Sequence, residues 1–287
     1  MPPEPAPKLK PVPLAIKPLE SRPDFATIGG LALALAGILG GLLLEGGRMQ
    51  DVAQITAACI VFGGTLGAVL VTTPPRVLMR AARRLSRVFV DQVQQPGEAI
   101  EQIISFAGKA RKHGIVSLEQ DADNLPDPFL RKALNLAVDG TDLDAIRKMM
   151  ELEIELDEHH AEAEAKVFEA AGGYAPTVGI LGAVLGLIQV MKHLENIEEV
   201  GRGIAVAFVA TVYGVGSANL FFLPAANKLR ARMRGAVHIK ELMLEGVVAI
   251  VEGLNPKLIR TRLEAYAREN TPAAGETGAP RRPQEIA

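Results

Sequence analysis

The stretch "YAPTVGILGAVLGLIQV", Tyr174 to Val190, is apolar from end to end and carries no charged side chain. A proline, Pro176, sits near its start, and small residues recur at Ala175, Gly179, Gly182, Ala183 and Gly186. A segment this long and apolar can cross roughly 30 Å of hydrocarbon as a helix. Three further stretches, Phe25 to Leu44, Val52 to Pro75 and Gly203 to Asn227, also lack Asp, Glu, Lys and Arg. A single charge at a helix centre costs roughly 2.5–3.5 kcal/mol on insertion scales, so these clean stretches indicate an integral membrane protein with four spans.

The net charge of −2 decides little, but the placement of charge orients the chain. Arg76, Arg80, Arg83, Arg84 and Arg87 follow the second stretch, and Lys228, Arg230, Arg232 and Arg234 follow the fourth. The short connections Glu45 to Asp51 and Lys192 to Arg202 carry few basic residues. Basic residues collect on the cytoplasmic side, which puts both termini and the long middle segment there. The lone cysteine, Cys59, falls inside the second span, where it is expected to be buried and inert.

The expected organisation is a disordered N-terminal arm (1–23), a membrane hairpin (24–75), a helical cytoplasmic segment (76–172), a second hairpin (173–227), a C-terminal cytoplasmic helix (228–270) and a disordered tail (271–287). Prolines interrupt every apolar run of the arm, which excludes a signal peptide. In the middle segment, "PGEAIEQIISFAGKARKHG" has helical spacing and Gly114 to end it. "LPDPFLRKALNLAVDG" is a short second helix, and Thr141, with Asp144 three residues on, is expected to cap a third. That third helix runs without a breaker toward Ala171 and into the third span, its apolar seam expected along Leu152, Leu156, Ala161 and Ala165. Its acidic middle, "ELEIELDEHHAEAEAK", reads as a solvated face or as an acidic surface for a basic partner. Adjacent histidines, His159 and His160, point in different directions and fix no metal site. No P-loop, GxSxG, HExxH or cysteine pair is present, so no enzyme chemistry and no cofactor are expected.

On a helix, Ala175, Gly179, Gly182 or Ala183, and Gly186 form one narrow stripe, and Gly203, Ala207, Ala210 or Thr211, Gly214 and Ser217 or Ala218 repeat it in the fourth span. Two readings are open. Small stripes let helices of one bundle pack closely, or they form a smooth wall for a foreign helix that slides against it. A cation path through a bilayer usually needs an intramembrane carboxylate. The four stretches have none. Any ion path must therefore borrow its acid from another polypeptide.

"GGYAPTVGILGAVLGLIQVM" together with "GIAVAFVATVYGVGSANLFFLPAANKL" resembles the MotA family of flagellar motor stator proteins, as do "DFATIGGLALALAGILGGLLLEGG" and "IVFGGTLGAVLV". The resemblance extends from Asp24 to Tyr266. It implies an all-α membrane protein whose four transmembrane helices carry a helical cytoplasmic domain between helices 2 and 3. It further implies a homo-oligomeric, pentameric ring around a pair of MotB-type partners, each supplying one span with an aspartate and a peptidoglycan-binding domain. Ion flow past that aspartate would drive the ring against a FliG-type rotor switch protein; no nucleic-acid partner is expected.

The matched positions imply roles. In "ARKHGIVSLEQD", Arg111, Lys112, Glu119 and Asp121 correspond to the rotor contact. Pro176, Ala183, Ala210, Thr211 and Pro224 correspond to positions facing the ion path or the partner helix, and Gly179, Gly182, Gly186, Ala207 and Gly214 to helix packing. Alanine at both 183 and 210, where sodium-driven relatives tend to carry threonine, points to protons rather than sodium. A Ton- or Tol-type energising subunit is the nearest alternative, but such proteins lack the first hairpin. A non-conducting scaffold is the other.

Overall fold

The computed structural model describes residues 22–85, 88, 90–91 and 96–269. The expected arm, the expected tail and Arg87 lie outside the described residues. The architecture is helical, apart from one two-residue antiparallel pairing of β1 (Arg22–Pro23) with β2 (Val90–Asp91). Four helices are long and apolar enough to cross a membrane. The described residues fall into two compact units: 96–154 with 237–269, and 22–91 with 155–236. These units cut across the linear segments expected from the sequence, because the long helices α9 (Leu143–Lys192) and α11 (Leu223–Val251) each contribute to both.

The polar unit contains α6 (Pro96–His113), a 3₁₀ turn (Ile115–Leu118), α7 (Glu119–Asp123), α8 (Pro128–Val138), the start of α9, the end of α11 and α12 (Pro256–Glu269). Its core gathers Ile103, Phe106, Phe129, Leu134, Met150 and Leu242, all at most 1% exposed. Side chains of this size contribute roughly 1.5–3 kcal/mol each when fully buried. Gly246 is required by this packing, since a Cβ there would stand 2.6 Å from the Ile103 side chain. Two helices stop in the same way. Gly140 and Gly253 have φ of 73° and 71°, and the bonds Thr141 N to Leu136 O and Leu254 N to Ala249 O close each end as Schellman motifs.

Two expectations are corrected here. The cap of α9 is Asp142, whose carboxylate accepts from Asp144 N at 3.1 Å, rather than Thr141. The buried seam at its start is Ile146, Met150 and Ile154; Leu152 and Leu156 point outward, 53% and 51% exposed. The expected single C-terminal helix is also broken. α11 ends at Val251, and Asn255 caps a separate α12 through its carboxamide oxygen to Lys257 N.

The apolar unit holds α1 (Phe25–Leu44), the short α2 (Met49–Val52), a second span, α5 (Pro75–Leu85), the remainder of α9, α10 (Ile197–Ser217) and the start of α11. The second span is α3 (Ile55–Ala58), a π-helical turn (Cys59–Gly63) and α4 (Gly64–Thr72). Cys59 proves exposed rather than buried. No residue of α1 is buried, so this helix contributes nothing to the chain's own core.

The buried acidic groups of this unit, Asp24 and Glu164, are both paired with basic side chains. Asp24 caps α1 through Thr27 N and pairs with Lys228 at 2.5 Å and Arg232 at 2.9 Å. Glu164, 2% exposed, sits 2.7 Å from Arg84 and 3.9 Å from Arg80. Arg230 grips Glu162 through both carboxylate oxygens and also reaches Glu169. Such buried pairs fix geometry, because removing one partner strands the other charge. The Lys228 ammonium and the Thr27 N–H hold the Asp24 carboxyl well below the usual carboxylate range. Its stabilising contribution is therefore complete above the ordinary carboxylate value and is lost as pH falls toward the depressed one. The gap in thermal midpoint between the wild type and Asp24→Asn is expected to stay constant above about pH 5 and to shrink below about pH 4. A gap independent of pH down to acid unfolding would contradict the ion pair.

Candidate functional site

The third and fourth spans meet along their small residues. A Cβ on Gly214 would lie 2.5 Å from the Ala175 carbonyl oxygen and 3.0 Å from the Gly179 Cα. One on Gly179 would lie 2.9 Å from the Ala210 carbonyl oxygen, and one on Gly186 would lie 2.7 Å from that of Gly203 and 2.9 Å from Ala207 N. Gly182 faces both Ala210, at 2.7 Å, and Ile60 of the second span, at 3.3 Å. At Gly214, Gly179 and Gly186 the approach is backbone to backbone, which only glycine permits; at Gly182 the neighbours are side chains. The stripes of the two spans are thus spent on each other. The sliding wall expected along them is corrected: a helix from outside cannot reach these glycines.

Ala210 shows the consequence. It was expected to face a partner helix, but it is 0% exposed and clusters with Ala57, Val61 and Val209. Among the expected path residues, Pro176, Ala183 and Thr211 remain half-exposed and Pro224 is exposed. The Thr211 hydroxyl donates to the Ala207 carbonyl at 3.2 Å, which leaves its oxygen lone pairs available. Ala183 lies beside the Gly182 contact, and Thr211 lies beside Gly179, whose Cβ would stand 3.5 Å from the Thr211 Cα. The accessible small and hydroxyl groups therefore flank the crossing rather than form it.

Each proline is accommodated differently. α9 runs through Pro176 without a break, although Pro176 has no N–H to return to the carbonyl of Gly172. Pro224 is the second residue of α11 and follows a π-helical turn (Ala218–Phe222). The wider turn moves the carbonyl that a proline ring would otherwise strike. Tyr213, which carries no expected role beyond polarity, ties the fourth span to the second. Its hydroxyl donates to Val52 O at 2.5 Å and accepts from Gln54 N at 3.3 Å.

In the polar unit, Arg111 and Lys112 occupy the last turn of α6, and Glu119 opens α7. All three are exposed, and none makes a side-chain ion pair among the described residues. Asp121 differs, because Lys109 holds its carboxylate at 2.7 Å. Gly114, with φ of 80°, turns the chain sharply between the two charged groups. Beside Arg111 is a partly open recess of about 340 Å³, lined also by Ala107, Gly140, Thr141, Ile250 and Gly253. A recess next to unpartnered charge is a feature that the sequence alone did not reveal.

Residues 28–114 match the N-terminal region of motility protein A, and residues 121–242 match the MotA/TolQ/ExbB proton channel family. Motility protein A of Bacillus subtilis is 35% identical across 85% of this chain and 90% of its own length. The chain belongs to the MotA family. Its fold agrees with two solved MotA-containing complexes. The C. jejuni MotAB structure superposes with a TM-score of 0.81 at 32% identity, covering 85% of this chain and 95% of that one. The flagellar MotAB stator complex of Bacillus subtilis gives 0.79 at 33% identity, covering 86% and 100%. The match to the MotA N-terminal region covers the first hairpin, the part a Ton- or Tol-type subunit would lack.

Proposed function

We propose that this chain is the ring-forming stator subunit of a flagellar motor, that it conducts protons jointly with a MotB-type partner, and that it converts their flow into torque. One observation carries the reading: a chain of a proton channel family has no acidic or basic side chain within any of its four spans. A proton crossing about 100 mV releases about 2.3 kcal/mol, yet nothing in these spans can hold it on the way. The carboxylate belongs to the span of a MotB-type partner, and the two solved relatives are complexes called MotAB. Half-exposed Ala183 and Thr211 flank the place where such a helix would lie.

Uncovered apolar surface supports a ring of copies, five in the family reading. The whole of α1 lacks buried residues, and Gly63 and Gly67 adjoin open space. Contiguous apolar surface of this kind, in a bilayer, is available to neighbouring subunits. The excess of arginine after the second and fourth spans supports a cytoplasmic polar unit and cytoplasmic termini in a bacterial inner-membrane protein. Arg111, Lys112 and Glu119 then face a FliG-type rotor protein. Burial of Ala210 leaves Ala183 as the main support for protons over sodium, since it offers no oxygen ligand to a dehydrated metal ion.

The passive scaffold finds some support in the tight glycine crossing, but packing within one chain is compatible with either role, and family membership favours the motor. The test is complementation of a stator-deleted strain. Co-expression with the cognate MotB-type protein is expected to restore swimming, whether or not sodium is replaced by potassium at constant proton-motive force. Swimming without the partner, or swimming that collapses without sodium, would overturn the corresponding half of the proposal.

A further inference from the structure

The second span ends at Thr72, and Thr73 is extended (φ −124°, ψ 128°), as a residue before proline prefers to be. After this break Pro75 takes the first position of α5, where its missing N–H costs nothing. A helical period divides α5 into two sides. Val77, Leu78, Ala81 and Leu85 take one, and Arg76, Arg80, Arg83 and Arg84 take the other. Ala81 is 0% exposed and shares a buried cluster with Val69, Ala171, Ala225 and Leu229, from the ends of spans two, three and four. Lys228, next to Leu229, holds the Asp24 that caps the first span. α5 is therefore folded against the edge of the membrane-crossing helices, near the height at which the first span begins.

The arginines of α5 are not equivalent. Arg84 lies 2.7 Å and Arg80 3.9 Å from the buried Glu164, so the chain itself answers that side of the stripe. Arg76, Met79 and Arg83, spaced by three and four residues, form the edge turned away from Glu164. Arg76 is exposed, and its side chain makes no ion pair among the described residues. Met79 is 58% exposed, and the Arg83 guanidinium lies 3.7 Å from its sulfur. An exposed methionine between two arginines calls for hydrocarbon and negative charge at one place. A phospholipid supplies both in one molecule, because its phosphate is attached to acyl chains. An acidic protein surface supplies only the charge.

We infer that the edge formed by Arg76, Met79 and Arg83 binds an anionic phospholipid of the phosphatidylglycerol type. The guanidinium groups take the headgroup phosphate, which their planar forks of donors fit. Met79 enters the boundary between headgroups and acyl chains, as the apolar residues of interfacial helices do. Phosphatidylcholine carries the same phosphate with a compensating ammonium group and is the matched neutral lipid. A basic residue near an anionic surface shifts binding about fivefold, so two give about 25-fold at low salt. The inference requires that the chain cross a bilayer; it requires neither ion flow nor torque.

The experiment uses the complete complex with its MotB-type partner, titrated in detergent with phosphatidylglycerol or with phosphatidylcholine of the same acyl chains. Native mass spectrometry counts the lipids retained. The wild type is expected to prefer phosphatidylglycerol. Arg76→Gln combined with Arg83→Gln should weaken that binding at least tenfold and leave phosphatidylcholine unchanged. Arg131→Gln combined with Lys148→Gln removes the same charge from exposed positions of the polar unit and should alter neither lipid. Equal retention of both lipids by the wild type, or equal losses in the two double variants, would overturn the inference. So would a changed subunit count with unaltered lipid binding, which would make this edge a contact between copies. If the first double variant fails to assemble, cryo-electron microscopy of the wild type in phosphatidylglycerol nanodiscs decides. Headgroup density about 3 Å from the Arg76 guanidinium supports the site; a neighbouring subunit or bare solvent there overturns it. A complex that binds lipid here yet restores no swimming would count against the stator reading alone.

Discussion

Replacing Gly214 with leucine is expected to abolish swimming and to deplete folded protein from the membrane. Even the first carbon of a side chain at this position would stand 2.5 Å from a backbone carbonyl oxygen and 3.0 Å from another backbone atom. Backbone cannot rotate aside as a side chain does, so the third and fourth spans must separate. Ordinary overpacking costs roughly 1–3 kcal/mol, and a backbone collision at the tightest point of a helix crossing belongs at or above the top of that range. Gly216, two residues away on the same helix, is the internal control, because nothing lies within 4 Å of where its Cβ would be. Gly216→Ala is expected to be tolerated and, on helix propensity, to gain up to about 1 kcal/mol. Immunoblots of membrane fractions and expansion rates in soft agar read both variants. Normal swimming by Gly214→Leu would show that the crossing is not a fixed contact.

The second large effect is expected at the charges of the polar unit. Arg111→Glu should reduce soft-agar expansion about tenfold or more, since juxtaposing like charges at an interface costs several kcal/mol. Membrane level and partner association should not change. Exposure is the reason: Arg111 makes no ion pair among the described residues, so reversal breaks none within them. Glu119→Lys should behave alike. Asp121 is the contrast, because its bond to Lys109 gives it a role inside the chain. Asp121→Asn is expected to lower stability slightly, with a smaller effect on motility. If Arg111→Glu were absent from the membrane, the residue would be structural and the rotor assignment would fail.

The two predictions separate what the sequence made legible from what it did not. Hydropathy located the spans because hydrocarbon length and the cost of charge act on every residue of a span. Gly114 and Asp139-Gly140 announced helix ends because positive φ has few other occupants. "EGLNP", Glu252 to Pro256, carries the same kind of signal and marks the break between α11 and α12, although the composition of the surrounding segment suggested one helix. The glycine stripes were harder. Period alone says that residues share a face, not which helix covers it, and that depends on a crossing fixed by contacts far apart in sequence. For the same reason Leu152 and Leu156 were placed on the wrong side of α9, and Ala210 on the wrong side of α10. The two π-helical turns left no trace in the apolar pattern.

The central claim is that these four spans form a conduit that holds no acid of its own. Proton flux into liposomes, driven by a potassium diffusion potential, tests it directly on the purified chain with and without its MotB-type partner. Flux is expected only when both polypeptides are present, and it should vanish when the partner's intramembrane aspartate is changed to asparagine. Sustained flux through this chain alone would contradict the account.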